Sequence, residues 1–576
     1  VLTVLIVAAA WTANSHSQAP APFTDSTVQS GIDFRHDNGL TGRLLLPEVT
    51  GSGGALFDFD NDGDLDVLAV QGGLIPGTTR VSSSESAAAA KPGSRLYRND
   101  WQPGGRQVRF TDVTERSGIK AMGYGMGAAT GDIDNDGWTD VYITNLGSNQ
   151  MFRNNGDGTF AEVTGKSGTD DPRWSTSATF FDYDRDGWLD LFVVNYVDFD
   201  PAMKRECFSS GSARDYCNPV VYTPTPDRLF HNNRDGTFAD VSVKAGITRA
   251  TGRGLGVLAA DVNDDGWIDL YVANDGDANQ LWINQRGSGV FRDDALLAGV
   301  AVNRMGQAQG SMGIDLGDID RDGDEDLFVT NLDNEANTLY LNTGKGLFED
   351  RTSEAGLFRL GFTGFGTRFV DYDNDGWLDL FVINGAVRQL PGQARRGDPY
   401  PLKQRNQLLR NTGGGAQGRS KAAARFVDVT DAAGAAFAPL DVGRGAAIGD
   451  LDNDGDSDIV TFNNSGGVRV LMNTMGSRQH WLGVRILDRR RDALQARVEI
   501  ARPVRLNAAP TTVVGRVQTD GSYCSASDPR VLFGLGSEST AQTVRVRWPG
   551  GQVEEFRDLA PDRYWVLETG KAPRVP

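Results

Sequence analysis

Histidine and cysteine are scarce in this chain of 576 residues, at four and three, and their scarcity removes several common chemistries. His16, His36, His231 and His480 stand far apart, and no His-Glu-x-x-His pair offers a catalytic zinc site. There is no Gly-x-Ser-x-Gly nucleophile turn, and Gly165-Lys166-Ser167 lacks the glycine five positions before Gly165 that a phosphate-cradling loop needs. The Gly-x-Gly runs at Gly123, Gly125, Gly127 and at Gly252, Gly254, Gly256 lead into short strands, where close packing explains them better than a nucleotide does. A net charge of −19 argues against nucleic acid or an anionic membrane as the main partner. Outside residues 2–11 no apolar stretch approaches the roughly eighteen residues of a membrane span, so no transmembrane segment is expected in the mature chain.

Residues 2–11 (LTVLIVAAAW), followed by small and polar residues, read as the core of a secretory signal, with a buried strand as the alternative. Residues 1–21 are therefore expected to be signal peptide and leader, and the mature protein to be secreted, periplasmic or at the cell surface. Cys207 and Cys217, ten residues apart in a Pro- and Ser-containing loop, suit a local disulfide in such a compartment, two free thiols being the alternative. Cys524 is left over as a small buried residue.

What the chain has in excess is glycine, 71 residues, which disfavours long helices and coiled coils, and one repeated pattern, Asp-x-Asp-x-Asp-Gly-x-x-Asp. It occurs seven times. Its acidic positions 1, 3, 5 and 9 are Asp58, Asp60, Asp62, Asp66; Asp132, Asp134, Asp136, Asp140; Asp182, Asp184, Asp186, Asp190; and Asp261, Asn263, Asp265, Asp269. The last three copies are Asp318, Asp320, Asp322, Asp326; Asp371, Asp373, Asp375, Asp379; and Asp450, Asp452, Asp454, Asp458. Small and apolar residues precede each loop and an apolar strand follows it. A third strand ends in Asn99, Asn154, Asn232 or Asn342, and a fourth reads Phe-x-(Asp/Glu)-Val-Thr-x-x-x-Gly, clearest from Phe110, Phe160 and Phe426.

Four strands in each of seven units describe an all-β, seven-bladed β-propeller over residues 22–475. The Phe-x-Asp element also occurs at Phe23, before any acidic loop, and is missing after the seventh. Residues 23–27 should therefore supply the outer strand of the last blade and close the ring. Residues 476–572 alternate as short strands, at 484–487, 513–519, 544–548 and 565–568, and predict a small β-sandwich.

Carboxylates held about 5 Å apart repel by roughly 3 kcal/mol at an effective dielectric of 20, and each loop holds several such pairs. A bound cation is the economical explanation. The donors are oxygens only, which selects Ca2+ ahead of Mg2+, with the carbonyl at position 7 and water completing the shell. Up to seven sites are expected, the fourth weakened by Asn263. Of the 76 acidic residues 27 stand at these positions; the remaining 49 are fewer than the 57 basic ones.

The propeller repeats resemble the FG-GAP or VCBS repeats related to integrin α-chain propellers, whose blades hold calcium in loops of this pattern. The tail, with Gly521-Ser522-Tyr523, Leu532-Phe533-Gly534-Leu535-Gly536 and Val546-Arg547-Trp548-Pro549-Gly550-Gly551, resembles the ASPIC/UnbV domain. Together they resemble the bacterial relatives of cartilage acidic protein 1. The tail departs from that pattern at residues 489–496 (RRRDALQA), where a Ser-Asn-Arg, Gly-Ala-type turn is usual. The resemblance implies an exported, calcium-binding, adhesive or protein-binding molecule, and the lack of catalytic motifs in the sequence argues against an enzyme.

Two other readings stand beside it. Trp138, Trp188, Trp267 and Trp377 occupy position 7 of four loops and would serve a lectin as sugar platforms, though packing beside their own loops is the plainer role. A calcium-dependent polysaccharide lyase or hydrolase would need unrecognised residues, since a carboxylate on a cation is a poor proton donor. The long segments 74–94, 196–227 and 388–405, the last with Arg388, Arg395, Arg396, Lys403 and Arg405, would form one face that grips a protein or glycan at the cell envelope or in extracellular matrix.

Overall fold

A computed structural model of the chain describes residues 21–79, 91–102, 104, 105, 107–203, 205–209, 213–413, 424–502 and 511–576. The signal-peptide reading, and the middle of the segment 74–94, lie outside them.

The repeated pattern folds as seven antiparallel sheets. Blade 2 is typical: an innermost strand Gly125–Gly131, then Asp140–Asn145, Gln150–Asn154 and an outer strand Phe160–Glu162. The innermost strands of blades 1 to 7 are Gly54–Phe57, Gly125–Gly131, Ser175–Phe181, Gly254–Ala260, Ile314–Gly317, Gly364–Val370 and Gly443–Gly449. All are buried along their length, and each packs against the next, the seventh against the first. Small side chains serve this crowding: a Cβ on Gly131 would lie 3.0 Å from Leu189 of the next blade.

The fourth-strand motif also has a local cause. Asp112 Oδ1 accepts the Thr114 N–H at 3.1 Å and starts a single helical turn, which ends at Gly118 with φ 72°. Phe110 anchors the strand from within the core. The first copy of the motif behaves as the phase of the repeat requires. Phe23–Asp25 pairs antiparallel with Arg469–Asn473, Phe23 facing Asn473, so the amino-terminal strand completes blade 7. Arg469 reinforces the join through Asp25, 3.0 Å away.

The tail forms two four-stranded sheets. One places His480–Asp488 between Val531–Gly536 and Tyr564–Glu568, with Arg491–Asp492 folded back on it; the other contains Arg497–Arg502, Thr511–Arg516, Gln542–Arg547 and Val553–Leu559. Their shared core runs without interruption into blades 2 and 3, with Ile486, Val498, Val544 and Phe533 in one cluster with Ile133, Phe180 and Leu189.

Between the two sheets the chain leaves the tail and enters the propeller axis. Ser525–Ala526 adds a parallel strand to blade 1 beside Gly54 and Ala55. Cys524 accepts the Ala128 N–H of blade 2 and donates its own N–H to Ser177 Oγ of blade 3. Gly521 N–H reaches Val257 O of blade 4, and Ser522 N–H reaches Ile314 O of blade 5 at 2.6 Å. The Tyr523 ring lies 4.9 Å from Phe365 of blade 6, and Ser522 Oγ donates to Ala446 O of blade 7 at 2.8 Å. One short segment thus touches all seven blades and fills the channel.

The opposite mouth of the axis is covered by the long connections between second and third strands. Tyr400 Oη donates to Glu48 O at 2.8 Å and the Tyr216 hydroxyl faces Glu48 Oε2 at 3.4 Å. Cys207 and Cys217 are joined in a disulfide that holds this cover. Beneath it Arg444, fully buried, donates to Val49, Gly385 and Ala386 carbonyls; burial lowers its pKa to about 10.

Phe23→Ala should lower stability by about 3 kcal/mol or more, because the ring is 1% exposed and its strand joins the two ends of the propeller. The measurement is the midpoint of denaturant unfolding; an unchanged midpoint contradicts the closure.

Candidate metal centres in the blade loops

Every acidic loop joins a first strand to a second, so all seven lie on one face, opposite the long connections. Position 1 organises the loop: Asp58 Oδ1 accepts the Asp62 N–H and Oδ2 the Gly63 N–H, both at 3.1 Å. The same pair of bonds recurs at Asp132, Asp182, Asp261 and Asp450. The turn requires left-handed backbone twice. Position 4 has φ between 52° and 60° in all seven loops, and the glycine at position 6 has φ from 85° to 95°, a region L side chains seldom enter.

Position 9 is the deepest. Asp66, Asp140, Asp190, Asp269, Asp326, Asp379 and Asp458 are each no more than 1% exposed. Their Oδ1 atoms accept the N–H of the asparagine that ends the third strand, Asn99, Asn154, Asn232, Asn284, Asn342, Asn411 and Asn473, at 2.7 to 2.9 Å. Each of those asparagines then donates its side-chain N–H to the position-2 carbonyl of the preceding blade: Asn154 to Phe59, Asn232 to Ile133, Asn284 to Tyr183, Asn342 to Val262, Asn411 to Ile319, Asn473 to Tyr372. Asn99 closes the circle on Leu451 of blade 7, at 2.9 Å. The terminal asparagines are visible in the sequence; their role is not, because donor and acceptor lie in different blades.

Carboxylate oxygens converge within 4.8 Å of one another for Asp58, Asp60 and Asp62; for Asp132, Asp134 and Asp136; for Asp182, Asp184 and Asp190; and for Asp318, Asp320 and Asp326. Such clusters could hold a metal ion. The fit is supported by buried Oδ1 atoms of the position-3 residues Asp60, Asp134 and Asp452, which receive no hydrogen bond from the protein and are costly unless something else satisfies them. In the fourth loop Asn263 Oδ1 accepts the Asp265 N–H at 2.9 Å. The third loop differs from an oxygen-only set: His231 Nδ1 stands 3.1 Å from Asp190 and 3.6 Å from Asp184. This histidine is therefore not a scattered one, and its hydrogen bond with Asp190 raises its pKa.

Basic residues share the load in some loops. Arg153 pairs with Asp134 and Asp136, and Arg410 with Asp373 and Asp375 at 2.8 and 3.0 Å.

The four position-7 tryptophans are half-buried. A Cβ on Gly156 would lie 2.7 Å from the Trp138 ring, one on Gly287 2.3 Å from Trp267, and one on Gly413 3.0 Å from Trp377, so each packs on the outer hairpin of its own blade. Arg185 of blade 3 stacks over Trp267 at 4.1 Å, and Arg321 of blade 5 over Trp377 at 3.7 Å. Both arginines occupy position 4. Where position 4 is asparagine it also reaches the next blade: Asn61 donates to Gly137 O, Asn135 to Gly187 O, Asn374 to Gly455 O and Asn453 to Asp64.

Burial raises the carboxyl pKa values to about 6 at Asp58, Asp132, Asp182 and Asp261 and about 7 at Asp450, against the opposing pull of nearby arginines, and to about 8 at Asp318. A raised folded-state value means stability is lost as pH climbs from about 4 through 8. Cation-free protein is therefore expected to melt higher at pH 5 than at pH 8, with the slope cancelled by a divalent ion; thermal unfolding across that range checks it. Asn232→Ala leaves Ile133 O and Leu189 O without their donor and should cost about 1–3 kcal/mol by denaturant unfolding.

Comparison with known proteins agrees with this architecture. The FG-GAP-like repeat model matches residues 132–193, 220–272, 261–329 and 318–382, and the ASPIC and UnbV model matches residues 488–574. Cartilage acidic protein 1 of Homo sapiens is 27% identical over 343 residues, 57% of this chain and 46% of the relative. The Xenopus tropicalis protein of that name is 25% identical over 405 residues, 62% and 61% of the two chains. The chain thus spans less than two thirds of these relatives. Among solved structures, an Agrocybe aegerita lectin that recognises terminal N-acetylglucosamine overlaps at TM-score 0.35, with 15% identity over 67% of this chain and 90% of the lectin. A rhamnogalacturonan lyase overlaps at 0.36, with 12% identity over 79% and 76%. Overlaps this loose say nothing about ligand or reaction.

Proposed function

Since this chain is an FG-GAP-like repeat protein that ends in an ASPIC and UnbV domain, we propose that it is an exported, non-catalytic calcium-binding propeller. Its role is to bind a protein partner at the cell surface or outside the cell. The observation that carries the metal reading is the convergence of loop carboxylates in blades 1, 2, 3 and 5, with unpartnered buried oxygens at Asp60, Asp134 and Asp452. Calcium suits it because the donors are carboxylate and carbonyl oxygens on flexible turns. Positions 1, 3, 5 and 9 of each loop are the proposed ligands, with Asn263 weakening the fourth site and His231 beside the third. The disulfide between Cys207 and Cys217 fits an oxidising compartment.

The partner face follows from what is already occupied. The tail covers the acidic-loop face, and its segment 519–528 fills the axis, so the free broad face is the one built from the long connections. There Arg388, Arg395 and Arg396 are exposed, while Lys403 pairs with Asp398 at 3.1 Å and Arg405 with Asp431 at 2.7 Å. Glycan binding is the weaker reading, because three of the four tryptophans are packed on their own blades and two of these are also stacked by arginine.

Elemental analysis of gently purified protein tests the metal directly. More than three calcium ions per chain are expected, with a melting temperature that rises with added calcium through linkage to the folded state. Stoichiometric zinc or iron in their place, or fewer than three calcium ions, overturns the reading. A glycan array separates the two partner classes: strong saccharide binding abolished by substitution of Trp188 would favour the lectin.

A further inference from the structure

The inter-loop contacts run from blade 1 to 2, 2 to 3, 3 to 4, 5 to 6, 6 to 7 and 7 to 1, each made by position 4. At the junction of blades 4 and 5 the arrangement differs. Position 4 of the fourth loop is Asp264, and its carboxylate pairs with Arg547 of the tail. Arg497 of the tail donates to Gly323 O, position 6 of the fifth loop, at 2.6 Å. Arg497 and Arg547 face each other on paired strands, so one strand pair of the tail spans the two loops. Arg516 adds an ion pair to Glu325 of the fifth loop.

The rest of the tail reads the other loops in the same way. Arg489 and Arg491 both donate to Gly187 O at 3.3 Å, which gives the unusual segment 489–496 a role in docking. Arg530 donates to Asp450 O at 2.8 Å, and Tyr564 Oη to Asp450 Oδ2 at 2.9 Å. Most of these contacts are to carbonyls in the loops or to carboxylates at their ends. At Gly187 the direction of the position-6 carbonyl depends on the loop being closed, since the N–H of the same glycine is held by Asp182 Oδ2 at 2.9 Å. Several carboxylates in a closed loop repel by roughly 3 kcal/mol a pair at an effective dielectric of 20, and a divalent ion removes that repulsion.

We propose that cation loading of the loops and docking of the tail are a single coupled equilibrium, joined at the blade 4–5 junction, where the tail links the fourth and fifth loops. The proposal rests on the reading that the loops hold calcium. Loss of calcium loosens the carbonyls that the arginines grip. The strand Thr511–Arg516, paired with Arg497–Arg502, runs straight into the axial segment, so undocking withdraws residues 519–528 from the channel. By reciprocity, a tail that cannot dock lowers calcium affinity by the same factor.

Cys524 provides the readout in the full chain. It is the free thiol beside the Cys207–Cys217 disulfide and is 1% exposed at the axis. Bound calcium is counted before and after EGTA treatment, and thiol labelling is followed in both states. Labelling is expected to be at least tenfold faster after calcium removal. Arg497→Ala with Arg547→Ala, in saturating calcium and with unchanged far-UV ellipticity, should label at least tenfold faster than the parent and lose calcium to the chelator first. A chain that never holds calcium defeats the metal reading. A chain that holds calcium, surrenders it and still protects Cys524 defeats the coupling alone. Should the double variant fail to fold, Arg547→Gln is compared with Arg545→Gln, an exposed neighbour; equal labelling in the two overturns the proposal.

Discussion

Seven buried aspartates at loop position 9 set the terms for everything around them. A carboxylate removed from water is tolerated only with donors or a cation at hand, and each of these accepts the main-chain N–H of the asparagine that ends the third strand. That bond ties the inner hairpin of a blade to its third strand. The asparagine side chain then ties the blade to its predecessor. The loop is therefore both a candidate cation cradle and the joint from which the ring is assembled, which is why the pattern varies so little at positions 1, 5, 6 and 9 while the connections vary freely.

A second constraint comes from the axis. Seven strands converging on one line leave a channel that small residues narrow but do not fill. The chain fills it with its own segment 519–528, whose backbone and hydroxyl groups find partners on the surrounding strands. Buried backbone polar groups must be paired, and a short segment with Gly521, Ser522 and Ser525 can satisfy several strands at different heights. The tail is thus built into the propeller, and the shared core of Val498, Val544, Phe180 and Leu189 makes the two parts continuous.

Position 7 shows how a local choice propagates. Where it is tryptophan in blades 4 and 6, the preceding blade offers arginine at position 4 and the contact is a stack. In blade 1 position 7 is Asp64, and Asn453 of the preceding blade donates to it. In these three junctions positions 4 and 7 of successive loops meet, although 82, 56 and 389 residues separate them in the chain, and the pairing is invisible to any reading of one loop at a time.

The sequence alone settled the number of blades, the strand order within each and the closure of the seventh by the amino-terminal Phe-x-Asp element, because these follow from a repeat whose phase can be counted; of residues 23–27 only Phe23–Asp25 is strand, and a helical turn begins at Thr27. Several tail strands were legible from alternation, but Arg497–Arg502, Val531–Gly536 and Val553–Leu559 were not assigned, and residues 517–519, read as strand, instead leave the sheet for the axis. The ring of asparagine bonds, the approach of His231 to the third loop, the packed state of Trp138, Trp267 and Trp377, and the docking of the tail arginines were decided by tertiary structure. The asparagine ring and the tail arginines join residues of different blades or domains, and His231 and the tryptophans meet other strands of their own blade; periodicity along a chain carries information about neighbours in a strand, not about which distant strand folding will bring alongside.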